Sequence, residues 1–154
     1  MSDASPSELL ERQHRDIDAG IQAVAEGGGD LRALGASLDL LRLHLYIEED
    51  ILFPPLERSG LTMPVFVMQR EHGQMWPLLE QLAAACGAGA DPAALKGDCA
   101  ELLHLLQVHN PKEEQILYTA ADRLAAQAGD GTLASDIGQA GLPGGWACRM
   151  APKG

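Results

Sequence analysis

Apolar residues recur at helical spacing, mostly in steps of three, four and seven, along four blocks of the chain, separated by breaks that carry glycine or proline. The first block holds Leu10, Ile17, Ile21 and Val24, and the second Leu34, Leu38, Leu41, Leu45, Ile51 and Leu52. The third holds Val65, Met68, Met75, Leu79 and Leu82, and the fourth Leu95, Leu102, Leu106, Ile116, Leu117 and Leu124. Such steps stay on one face of an α-helix. The breaks read "EGGGD" at 26–30, "RSGLT" at 58–62 and "CGAGADP" at 86–92. Glycine and proline interrupt helices there. Helix-start signals precede each block: Ser5 or Ser7 with Pro6, Asp30, Thr62 with Pro64, and Asp91 with Pro92. A short polar side chain there can accept from the free amides of the first turn, and proline tolerates the first position. Short connections favour antiparallel neighbours. The pattern predicts an all-α, up-down-up-down antiparallel four-helix bundle over residues 1–127. Residues 128–154 are Gly-rich and predict an irregular C-terminal tail, not a separate domain, docked through Trp146.

Four of the five histidines fall inside these apolar stripes, one per helix. His14 lies between Leu10 and Ile17, His44 between Leu41 and Ile51, His72 between Met68 and Met75, and His109 between Leu106 and Ile116. All four imidazoles are therefore expected to point inward. The second and fourth helices also share a phrase, "HLYIEEDILF" at 44–53 and "HNPKEEQILY" at 109–118. In each, a glutamate follows the histidine by four residues: Glu48 and Glu113. At about 100° per residue, that step returns within about 40° of the same line, one turn further on. The expected inventory is four imidazoles and two carboxylates inside one bundle, arranged as a repeated helix pair.

Buried carboxylates without partners are costly and take up protons unless a cation neutralises them. Two carboxylates can each bridge two ions while imidazoles terminate each ion. Nitrogen and oxygen donors without thiolate suit iron or manganese, with zinc a further fit. The set His14, His44, Glu48, His72, His109 and Glu113 is thus the candidate ligand shell of a two-metal site with open positions for a small molecule. His104 lies about 140° around the helix from His109 and is expected at the surface. Asp18, four residues after His14, is expected in solvent or beside the site. Glu49, Glu71 and Glu114 point about 100° away from their ligand neighbours. They are expected on solvated faces, with one available to hold an imidazole. Pro111, between His109 and Glu113, predicts a kink or a loosened turn.

The net charge of −11 and the lack of a basic cluster argue against nucleic acid and against anionic membranes. No apolar run approaches the roughly 20 residues of a membrane span. The start, "MSDASPSELLERQ", has no basic-then-apolar secretory pattern. Three cysteines, Cys86, Cys99 and Cys148, form neither a disulfide framework nor a zinc knuckle. A cytoplasmic setting is expected. Cys86 and Cys99 read as small buried apolar groups. Cys148, in "GGWACRM", is placed to fold over the open end of the bundle as a reactive thiol.

The phrases "HLYIEEDILFP", "REH" and "HNPKEEQILY" resemble the hemerythrin-like HHE cation-binding domain over roughly residues 8–127. The resemblance implies a four-helix bundle around a non-haem di-iron centre, with the six residues above as ligands to two Fe ions. It implies binding of a diatomic ligand, nitric oxide or oxygen, for sensing, scavenging or stress response. Oxygen-carrying members have a second histidine four after the third-helix one, where this chain has Trp76. They have an Asp five after the fourth-helix histidine, where this chain has Glu113 at plus four. The four-His, two-Glu set is more similar to di-iron proteins implicated in iron–sulfur cluster repair. That similarity implies an alternative, donation of iron to an acceptor protein or redox catalysis, and beyond it simple metal storage.

Overall fold

The computed structural model describes residues 4–152, and among them there are helices and no strands. Helix α1 spans Pro6–Ala25. Helix α2, Leu31–Tyr46, passes into a π-helical turn, Ile47–Leu52, and on into α3, Phe53–Arg58. Helix α4 spans Thr62–Gly87. A 3₁₀ turn, Pro92–Leu95, leads into α5, Lys96–Lys112, followed by a second π-helical turn, Glu113–Leu117, and α6, Tyr118–Ala128. The four predicted helices are thus α1, α2–α3, α4 and α5–α6. They form the expected all-α bundle, with α1 and α4 each packed beside α2 and α5. No helix among the described residues is long and apolar enough to cross a membrane.

The starts follow the local chemistry. Ser5 accepts from the Glu8 amide, with Pro6 as the first helical residue, and Asp30 and Asp91 accept from the amides of Ala33 and Ala93. The expected Thr62 cap does not form. Thr62 is already helical, and Leu61 takes the cap position without a side-chain bond.

The tail is more ordered than its glycines suggest. Thr132–Gln139 forms an eight-residue helix, α7, whose Ile137 is buried. Leu133 and Ile137, four apart, present one apolar stripe to the bundle. Beyond α7 the chain folds back. Trp146 packs edge-on against Tyr46 and Trp76, with ring centroids 5.6 and 5.7 Å apart.

The core has two apolar clusters. One joins Ile17, Ile21, Leu41, Leu45, Met75, Leu79, Leu102, Leu106 and Cys148. The other joins Leu10, Ile47, Phe53, Met68, Leu117, Tyr118 and Ile137. Each of the four inward histidines lies in sequence between a member of one cluster and a member of the other. The bundle is therefore two dry plugs with a polar layer between them.

Candidate metal centre

His14, His44, Glu48, His72, His109 and Glu113 are all buried, and the two glutamates are completely so. Their donor atoms form two groups that could each hold a metal ion. One is His14, His44, Glu48 and Glu113; the other is Glu48, His72, His109 and Glu113. Within each group the donor atoms lie within 4.8 Å of one another. Both glutamates belong to both groups. Oε2 of Glu48 lies 3.2 Å from His44 Nε2, and its Oε1 lies 3.0 Å from His72 Nε2. Oε1 of Glu113 lies 3.2 Å from His14 Nε2, and its Oε2 lies 3.0 Å from His109 Nε2. Each carboxylate divides its oxygens between the two imidazole pairs.

The second group decides whether a cation fits. Glu48 Oε1, His72 Nε2, His109 Nε2 and Glu113 Oε2 are buried and make no hydrogen bond. They stand close together without hydrogen-bond alignment, so they converge side by side on a common point. Buried polar atoms are nearly always satisfied. Four unsatisfied donors of the right chemistry around one point fit a metal.

The outward nitrogens explain how the imidazoles are aimed. Nδ1 of His14 lies 2.7 Å from Glu114, and Nδ1 of His44 lies 2.7 Å from Gln13. Nδ1 of His72 lies 2.8 Å from Glu49, and Nδ1 of His109 lies 2.8 Å from Glu71. Every imidazole thus donates through Nδ1 to a side chain on a neighbouring helix and turns Nε2 inward. The acceptors run around the bundle in a ring: α1 supplies α2, the turn after α2 supplies α4, α4 supplies α5, and the turn after α5 supplies α1. Each acceptor is adjacent in sequence to a candidate ligand. Glu49, Glu71 and Glu114, expected mainly on solvated faces, are therefore all engaged. A direction of about 100° off the core line points at the next helix, which is the signal that could have found them.

Tyr118, which the apolar periodicity does not mark as a site residue, sits in the centre. Its hydroxyl is within hydrogen-bonding reach of Glu48, of Glu113 at 3.2 Å, and of Nε2 of His14 and His44 at 3.0 and 3.3 Å. It arrives there through the π-helical turn. The Tyr118 amide bonds to the Glu113 carbonyl five residues back, which stacks position +5 over the glutamate. The matching turn bonds the Phe53 amide to the Glu48 carbonyl, and Phe53 stacks on His72. The same turn therefore carries the aromatic that ends each repeated phrase to the centre, once with a hydroxyl and once without.

The electrostatics follow from mutual contact. Burial would lower the His14 pKa, but the hydrogen bond and charge of Glu113, with Glu48 and Glu114, raise it to about 9. Burial also works against His72 and His109, and the surrounding carboxylates again hold both above the ordinary imidazole value. Burial presses Glu48 and Glu113 upward, and the charge of Glu113 adds to it at Glu48, yet the imidazoles win and hold both below the usual carboxylate range. Glu71, bonded to His109 and Lys112, is lowered to about 2.

Other expected residues fall outside the two donor groups. His104 is exposed. Asp18 is half-buried beside the centre, its carboxyl raised by burial. Trp76 packs against Trp146, with the Arg42 guanidinium 5.1 Å from its ring centre. Pro111 sits inside α5 immediately before the π-helical turn, and His109 and Glu113 still face one another. Cys148 is buried, and burial pushes its thiol up to about 11, which suits packing and not nucleophilic attack. The tail reaches the centre by its backbone instead: the Arg149 amide donates to Glu49 Oε1 at 2.8 Å.

Comparison with known proteins agrees with this geometry. The hemerythrin HHE cation binding domain matches residues 5–121, well over half the chain. The iron–sulfur cluster repair protein YtfE of Yersinia pseudotuberculosis, in strains IP 31758 and YPIII, is 37% identical to this chain over 82 residues. That match covers 49% of this chain and 34% of the relative's length. No solved structure matches.

Proposed function

We propose that this chain, which belongs to the hemerythrin HHE cation-binding family, holds two iron ions and binds nitric oxide or oxygen at them in a cytoplasmic stress response. His14 and His44 would hold one ion and His72 and His109 the other, with Glu48 and Glu113 shared between the two. The observation that carries this reading is the division of each carboxylate between the two imidazole pairs. Iron bound there supplies a Lewis acid and a one-electron redox couple. The protein's share is to fix each imidazole through its Nδ1 acceptor and to exclude water with the two apolar clusters. With four histidines and two glutamates, open positions remain for a diatomic ligand.

The test is anaerobic iron loading, metal analysis, then rapid mixing of the diferrous protein with each gas. We expect two irons per chain, tight nitric oxide binding and rapid oxidation by oxygen. One iron or none at saturation sinks the binuclear reading, and a long-lived reversible oxygen adduct makes the protein an oxygen carrier. Glu48→Ala and Glu113→Ala should convert an EPR-silent coupled diferric pair into mononuclear ferric signals. A coupled spectrum in both variants removes the bridges.

The names of the matched relatives favour a second reading, in which the iron is donated to damaged iron–sulfur clusters. Transfer of labelled iron from the loaded protein to an apo iron–sulfur protein would separate it from the first.

A further inference from the structure

The two halves of the centre are alike in imidazoles and carboxylates but not in aromatics. Phe53 covers the His72 side with a bare ring, its centroid 5.7 Å from that of His72. Tyr118, its counterpart, is completely buried and puts an oxygen among the donors of the His14 side. That oxygen lies 3.0 Å from His14 Nε2, 3.3 Å from His44 Nε2 and 3.2 Å from Glu113 Oε1, and contacts Glu48 Oε2.

Protons and spacing both bear on the role of that oxygen. His44 Nδ1 faces the Oε1 carbonyl of Gln13, an acceptor only, so Nδ1 carries the hydrogen. In the neutral ring Nε2 is then a bare lone pair. His14 Nδ1 faces a carboxylate and likewise carries a hydrogen. Two imidazole nitrogens, two carboxylate oxygens and the phenol oxygen meet at one place. Donors about 2.1 Å from a metal lie about 3.0 Å apart on adjacent vertices of an octahedron. Tyr118 stands near that separation from three donors of the first group and in contact with the fourth, the position of a fifth vertex.

Resting on the di-iron reading above, we propose that the Tyr118 oxygen is a fifth protein ligand to the ion in the His14–His44 half. The phenol proton leaves to solvent as the ion binds, since donors shed protons on metal binding. The His72–His109 half, with four protein donors, is then the more open one and the place for an exogenous ligand.

Ferric iron bound to a phenolate has a charge-transfer band in the visible, and excitation in that band enhances phenolate ring modes in the resonance Raman spectrum. The diferric protein, prepared by anaerobic loading and oxidation, should show both, with two irons per chain. Tyr118→Phe should lose band and ring modes while keeping two irons. The chain has two tyrosines, so Tyr46→Phe, distant in role and packed against Trp146, should keep both features. This assigns the signal even if Tyr118→Phe fails to fold. Two irons without phenolate modes in the unmodified protein overturn the Tyr118 assignment and leave the di-iron reading intact. Fewer than two irons overturns the di-iron reading itself, and the assignment with it. Phenolate modes lost in Tyr46→Phe but kept in Tyr118→Phe also overturn it.

Discussion

His109 is buried, with Nδ1 held by Glu71, whereas His104, five positions earlier on α5, faces solvent. The two differ in angular phase, not in chemistry. His109→Ala should weaken metal binding by more than the about 10–100-fold typical of losing an outer partner. His104→Ala should leave it unchanged, as measured by competition with a chelator. Equal losses would mean that α5 does not turn His109 alone toward the candidate metal centre. The same imidazoles make binding pH-dependent. His14 is raised from 6.5 to about 9 in the metal-free fold. Its stabilising contribution there is full below about pH 6.5 and is lost as pH rises through about 9. A metal must displace that proton, so its affinity rises over the same range. The gain in melting temperature on adding manganese should therefore grow between pH 6.5 and 9. A flat gain would show that His14 is no ligand. The six candidate donors are legible in the sequence because steps of four on a straight helix preserve direction. The ring of Gln13, Glu49, Glu71 and Glu114 is harder to read. Their direction is set by one helix, but their meaning depends on the imidazole that the next helix brings to them.

At the scale of the helix, the two π-helical turns are what the periodicity does not reveal. In the fourth block, Ile116 and Leu117 both fit the apolar stripe in sequence. In the structure Leu117 and Tyr118 are buried, whereas Ile116 is 49% exposed. The wider turn delays the phase by about one residue, which carries Tyr118 to the centre and Ile116 out of the core. A constant helical pitch places His109 and Glu113 correctly, since they precede the delay, and misplaces Ile116 and Tyr118 beyond it. Helix contact sets a different limit at Gly20. A Cβ there would collide with the Ser37 hydroxyl and come within 2.7 Å of the Ala33 carbonyl, so α1 and α2 can approach only over glycine. Gly20→Ala should destabilise the bundle by about 1–3 kcal/mol through overpacking. This outweighs the roughly 1 kcal/mol that alanine gains in helix propensity. Gly35 on α2 has open space around it. Gly35→Ala should stabilise by up to about 1 kcal/mol. Urea unfolding of the metal-free proteins compares the two; the same sign for both would show that the α1–α2 contact relaxes freely.

Across the whole molecule, the tail ties the two ends of the bundle to the layer between them. Ile137 of α7 joins one apolar cluster and Cys148 the other. Next to Cys148, the Arg149 amide bonds to one oxygen of Glu49, whose other oxygen holds His72 Nδ1 at 2.8 Å. The tail therefore bears on the aim of a candidate ligand without supplying one. Its seat is narrow. At Gly73, one residue after His72, an added Cβ would collide with the Met150 carbonyl and lie 3.0 Å from the Met150 Cβ. Gly73→Ala should leave α4 helical, since alanine is the better helix former, and should displace the tail. Trp146 fluorescence should then shift to the red as its contacts with Tyr46 and Trp76 open. With Glu49 released on one side, His72 loses part of its fixed orientation, and metal affinity should fall by up to about 10–100-fold. Gly138→Ala, on α7 with open space around it, should do neither. A red shift in Gly73→Ala with unchanged affinity would show that Glu49 holds His72 without help from the tail. The tail would then be only a cover for the apolar end.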